Sequence, residues 1–171
     1  AREGAHLIVS DLNLDSAQKR VEEIRQSGRR GLALQSDANR EADCQTLVDE
    51  AVREFGHVDI LVNNAGFLKY TTFEDCSEED WNRMVDINMK GPFLCAQAAI
   101  PHMKARKSGA IVNMTSLAAK TGGIAAGPPY AAAKDGVHTL TIGLARTLAH
   151  DRIRANAIAH GRINTANTPA P

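Results

Sequence analysis

Residues 58–66 read VDILVNNAG: three adjacent apolar side chains, Ile60, Leu61 and Val62, stop at two asparagines and a glycine. The run is too short for a helix, is rich in β-branched residues and ends in turn chemistry, so it reads as a strand. A strand that is apolar on both sides is buried on both faces, and such strands belong to parallel sheets covered by helices. Similar runs lie to either side: HLIVSD (6–11), GLALQSD (31–37), GAIVNMTS (109–116) and IRANAIA (153–159). Helical spacing fills the gaps. Leu14, Ala17, Val21 and Ile24 define a helix over 14–27, and Leu47, Val48, Ala51, Val52 and Phe55 define one over 40–55. Further helical stretches cover 77–105 and 128–149. Strand and helix alternate throughout, which predicts one α/β domain over residues 1–171: a doubly wound parallel sheet with helices on both faces.

Composition narrows the function. Lys plus Arg and Asp plus Glu are each 20, so the chain carries no net charge to steer it toward nucleic acid or an anionic membrane. Hydrophobic residues make up 43%, with no run long enough to span a bilayer, and a cytoplasmic protein is expected. The three cysteines, Cys44, Cys76 and Cys95, lack metal-ligand spacing and read as reduced thiols; no metal site is expected from the histidines either.

Ligands of open parallel sheets bind beyond the carboxyl ends of the strands. Those ends carry Asp11, Asp37, the turn from Asn63 to Gly66, Ser116, and the pair His160–Gly161. The helix after Ser116 opens PPYAAAKDG (128–136), with Tyr130 and Lys134 one turn apart on the same face. A phenol titrates near 10, too high for proton transfer at neutrality, and an adjacent ammonium group would lower it. The small Ala131, Ala132 and Ala133 permit close approach. Ser116 could share a substrate oxygen with Tyr130. Asn88 completes a stripe with Trp81, Met84 and Val85, although a buried amide is costly without partners. Pro92, four residues later, cannot donate to the Asn88 carbonyl, so the helix should kink there and free that carbonyl for a water.

With NNAG at 63–66, Asn88 in DINMKGPF, Ser116 in IVNMTS, YAAAK at 130–134 and IRANAIAHGRINT at 153–165, the chain resembles the short-chain dehydrogenase/reductase family, near its 3-oxoacyl reductases and sugar-alcohol dehydrogenases. The resemblance implies a Rossmann-type fold and hydride transfer between a nicotinamide cofactor and a small alcohol or ketone. It casts Tyr130 as the acid–base, Ser116 as the group that orients the substrate oxygen, Lys134 as the ribose ligand, and Asn88 as the anchor of a water. Asp37 and the Asn63–Asn64–Ala65–Gly66 turn would lie along the adenosine; Ile163 and Thr165 would meet the nicotinamide carboxamide. Asp11 favours NAD over NADP, because an acid there accepts from the ribose 2′-hydroxyl and repels a 2′-phosphate. The family's long helices also imply a homodimer or homotetramer.

Two departures stand out. The glycine-rich phosphate loop should precede Asp11 by about 20 residues and has no counterpart. The chain is therefore expected to be an internal fragment lacking the first strand, its loop and the last strand, with two strands left without a shared neighbour. A non-catalytic dinucleotide-binding scaffold is the alternative. The other departure is His160, which stands where the family usually has proline.

Overall fold

The computed structural model describes residues 1–123, 126–161 and 163. Strands β1 (Leu7–Asp11), β2 (Gly31–Gln35), β3 (Ile60–Asn63), β4 (Gly109–Ser116) and β5 (Ile153–His160) alternate with helices α1 (Leu14–Gln26), α2 (Glu41–Phe55), α3 (Glu78–Val85), α4 (Gly91–Arg106), α5 (Ala118–Thr121) and α6 (Pro128–Leu148). Every strand pairing among the described residues is parallel. The strands form two sheets, β1–β2 and β3–β4–β5. One edge of β1 and one edge of β3 carry no partner strand among the described residues, which is the break the missing loop predicted.

Helices flank the sheets on both sides. α1 lies on β1 and β2 and buries Ala17, Val21 and Ile24. Its first turn is capped by Asn13, whose side chain accepts from the Ser16 N–H. The main core joins Val48 of α2, Ala96, Ala98, Ala99 and Met103 of α4, and Leu148 of α6 to Ile111, Ile153 and Ala155 of the sheet. The register puts Leu61, Ile111 and Ala155 on that face, with Asn63 and Asn113 one pleat further. The opposite face holds Ile60, Val62 and Ile158, each at least half exposed. Strand β3 is thus apolar on both sides, as its sequence requires, but Ile60 and Val62 stay more than half exposed among the described residues.

The helical stretch 77–105 is two α-helices joined by a π-helical turn at Asp86–Lys90. There the Gly91 N–H donates to the carbonyl of Asp86, five residues back. Pro92 cannot supply the α-type bond to Asn88, and the expected kink takes this wider form. Met84 and Asn88 are fully buried, whereas Trp81, expected in the same stripe, is 44% exposed. β2 ends at Gln35, so Asp37 falls in the following turn, and the short α5 interrupts what reads as a plain glycine-rich crossing.

Candidate active site

Parallel pairing brings the ends of β3, β4 and β5 to one edge, and α6 enters beside them. Ser116 closes β4, directly across from His160 on β5. Its Oγ accepts from the Ala118 N–H at 3.2 Å. Gly127, at φ 87°, turns the chain into α6, with Pro128 and Pro129 in the first turn where a missing N–H costs nothing. A side chain at Gly127 would strike the Thr71 carbonyl, so the glycine also lets the 70–72 loop approach. The buried face of α6 then presents Tyr130, Ala133, Lys134, Val137 and Thr141.

Tyr130, on the buried face of α6, lies near Ser116 at the end of β4. Burial pushes the Tyr130 phenol above its ordinary value; the neighbouring Ser116 hydroxyl pulls the other way, and Tyr70 adds a rise. This corrects the expectation that Lys134 lowers it. The lysine tip lies 5.7 Å from the centre of the Tyr130 ring and donates instead to the Met114 carbonyl at 2.8 Å. Lys134 is only 3% exposed, and burial brings its ammonium group down to about 8.

Asn88 pins the turn after β3. Its Nδ2 donates to the carbonyls of Phe67 (2.6 Å) and Met84 (2.9 Å), and its Oδ1 accepts from the Phe67 N–H at 3.2 Å. Those partners offset the cost of burying the amide without any ligand. Gly66 sits between Asn88 and Lys134: a Cβ there would stand 3.1 Å from Asn88 Oδ1 and 3.6 Å from Lys134 Nζ. Asn64, Ala65 and Gly66 are exposed, but the Asn63 side chain turns inward. Its Nδ2 donates to Asn113 Oδ1 at 2.8 Å and, more weakly, to the Pro92 carbonyl. Asn113 Nδ2 in turn donates to Thr141 Oγ1 at 2.9 Å. Sequence reasoning missed this buried chain, although the register pairs Asn63 with Asn113 and thereby signals it.

The outlying candidates sit further along the edge. Asp11 Oδ1 accepts from the Asn13 N–H, and Asp37 Oδ1 from the Asn39 N–H, both at 2.9 Å. Asn39, which sequence reasoning passed over, has a buried Oδ1 with no hydrogen-bond partner among the described residues. His160 Nδ1 lies 2.9 Å from the Gly161 carbonyl. Ile163 is exposed, and Thr165 lies outside the described residues.

The chain has relatives among known proteins. The family model for short chain dehydrogenases matches residues 1–170. The chain is 39% identical to the 2-dehydro-3-deoxy-D-gluconate 5-dehydrogenase of Escherichia coli K12, covering 92% of this chain and 62% of that protein. It is 37% identical to a 3-oxoacyl-acyl-carrier-protein reductase of Staphylococcus epidermidis, covering 99% of this chain and 70% of that one. The crystal structure of a gluconate 5-dehydrogenase from Burkholderia cenocepacia, solved with NADP and tartrate, superposes with a TM-score of 0.90 at 32% identity, over 96% of this chain and 64% of that one. The chain thus spans less than two thirds of the length of both gluconate dehydrogenases.

Proposed function

Because the chain belongs to the short-chain dehydrogenase family, we propose that its full protein oxidises or reduces a small secondary alcohol or ketone with a nicotinamide dinucleotide. The observation that carries this reading is the convergence of Tyr130, buried on α6, with Ser116 at the end of β4, and a buried lysine one helical turn from the tyrosine. Residues present suit the dinucleotide. Gly66 leaves room beside Lys134 Nζ, Asn64 to Gly66 are exposed, and Asn39 offers an unspent acceptor near Asp37. When bound, the cofactor supplies or accepts the hydride.

The chain's own residues manage the oxygen. Ser116 donates to the substrate oxygen and fixes its position. Tyr130 gives that oxygen a proton in reduction and removes one in oxidation. Lys134 places positive charge beneath the site and holds the ribose hydroxyls. Asn88 fixes the Phe67 turn by its side chain, and its main-chain carbonyl, which Pro92 cannot engage, is available to a proton-carrying water. Asp11 at the end of β1, in a segment without Lys or Arg from Leu7 to Asp15, favours NAD over NADP. Ile163 and Thr165 would border the nicotinamide. The similarity to enzymes named for gluconate derivatives points to a polyhydroxy acid as substrate. Exposed Phe93 on α4 and Ile142 on α6 suit a homodimer or homotetramer. No described helix is long and apolar enough to cross a membrane.

The test uses the full-length protein. NAD and NADP are titrated separately, then turnover is screened against hydroxy acids, keto acids and simple ketones. Tyr130→Phe should cut kcat by at least 100-fold with the dinucleotide Kd nearly unchanged. Unchanged turnover in that variant would overturn the assignment, and tight dinucleotide binding without any turnover would favour the scaffold reading.

A further inference from the structure

Two cysteines play no part in that chemistry. Cys44 on α2 and Cys95 on α4 lie Sγ to Sγ at 3.3 Å, 51 residues apart in sequence. They are 1% and 7% exposed, in a small cluster with Leu94 that packs against Ala38 and Leu61. The start of α4 lies close to the turn that precedes α2: a side chain at Gly91 would stand 3.3 Å from the Ala38 Cβ. Cys44 also donates to the Ala38 carbonyl at 3.3 Å. Single buried cysteines are ordinary core residues, but two in contact on neighbouring helices are already near bonding geometry.

We propose that Cys44 and Cys95 form an oxidisable dithiol, at which hydrogen peroxide installs a disulfide between α2 and α4. The Cys95 S–H points at the Cys44 sulfur and favours a thiolate there, against the opposing effects of burial and of Asp43 and Asp37. That same bond, and burial after it, hold the Cys95 proton more firmly. Cys44 is therefore the sulfur that attacks. Its thiolate breaks the peroxide O–O bond, giving a sulfenic acid and a hydroxide that takes up a proton as water. The Cys95 sulfur then attacks the sulfenic sulfur; the S–S bond forms, and the departing hydroxide leaves as a second water with the Cys95 proton. In sum, two thiols and one peroxide become one disulfide and two waters. Forming the bond brings the two sulfurs from 3.3 Å to about 2 Å apart.

The bond would close a loop over residues 44–95. That loop contains β3, the Asn63–Gly66 turn, α3 and Asn88, so oxidation staples the cofactor-side half of the candidate site to its helical cover. It also removes the S–H donor from the Ala38 carbonyl, in the turn between Asp37 and Asn39.

Peptide mapping decides the matter. The full-length protein is treated with hydrogen peroxide, alkylated, and digested without reductant. The expected product is an intramolecular Cys44–Cys95 link that a thiol reductant reverses, with Cys76 still free. The thermal midpoint of the oxidised protein should rise by roughly 5–15 °C, and Cys44→Ser or Cys95→Ala should abolish the rise. The mapping needs no variant, so a poorly folding substitution does not obscure the answer. Recovery of both cysteines alkylated after peroxide treatment and denaturation would overturn the proposal. So would their appearance as sulfinic acids or in links to Cys76 or a second chain.

Discussion

Replacing Lys134 by methionine tests the most costly group in the site. The lysine is 3% exposed, and its ammonium titrates at about 8 instead of 10.5. At about 1.36 kcal/mol per pH unit, the folded state bears a penalty of roughly 3 kcal/mol whenever the group is charged in both states. The sign follows from proton counting. Below pH 8 folded and unfolded chains both hold the proton, and the penalty is complete. Between about 8 and 10.5 the unfolded chain holds it and the folded chain does not, so stability rises with pH. Tyr130 acts oppositely above 10: its phenol is pushed up by burial, the unfolded chain ionises first, and stability falls. The clean window is therefore pH 8 to 10. Urea unfolding of wild type and Lys134→Met, without cofactor, should show wild type gaining about 2–3 kcal/mol relative to the variant across that window. Other titrating groups are common to both proteins and cancel. The lost bond to the Met114 carbonyl costs the variant about 1 kcal/mol, independent of pH. Parallel pH profiles for the two proteins would mean that Lys134 is not buried as a cation, and the argument would fail.

Three other substitutions probe separate parts of the site. Gly66→Ala places a methyl 3.1 Å from Asn88 Oδ1 and 3.6 Å from Lys134 Nζ, and should weaken dinucleotide binding about tenfold or more by calorimetry, with only a small change in thermal midpoint. Asn113→Leu removes the acceptor of Asn63 and the donor to Thr141, and should cost roughly 2–4 kcal/mol in urea unfolding; a loss under 1 kcal/mol would show the buried chain to be dispensable. Asp11→Ser removes the carboxylate at the end of β1, and the ratio of NADP to NAD dissociation constants should fall at least tenfold; an unchanged ratio would separate Asp11 from cofactor choice.

Much of the fold was legible because parallel strands and their helices announce themselves locally. IVNMTS and ILVN are apolar runs with turn residues at their ends, and the five strands lie where those runs lie. Less local features were harder to read. The π-helical turn at Asp86–Lys90 arises because Pro92 withholds a donor, so sequence locates the disturbance but not its form. Asn113 looks like the polar member of an alternating strand; that it faces Asn63 and Thr141 follows only once β3, β4 and α6 are stacked. The break between β1 and β3 was read from a missing glycine-rich loop, whereas the exposure of Ile60 and Val62 depends on what packs over them. The contact of Cys44 with Cys95 joins residues far apart in the chain, and no local pattern reports it.

Tyr130 shows why spacing alone misleads about chemistry. An i, i+4 lysine guarantees a nearby cation, but the phenol responds to its own burial more strongly than to an ammonium group whose tip is turned to the Met114 carbonyl. The free protein therefore carries a neutral phenol at pH 7, already loaded to donate. Reduction of a ketone can use that proton directly, whereas oxidation of an alcohol needs the phenolate, whose population grows tenfold per pH unit below its titration point. For the full-length protein, kcat/KM for reduction should be nearly flat from pH 6 to 8. Oxidation over the same range should climb by about an order of magnitude per unit, and Tyr130→Phe should remove both activities. An oxidation rate independent of pH from 6 to 8 would mean either that the phenol is ionised despite its burial or that another group takes the proton. Retained activity in the Phe variant would single out the second.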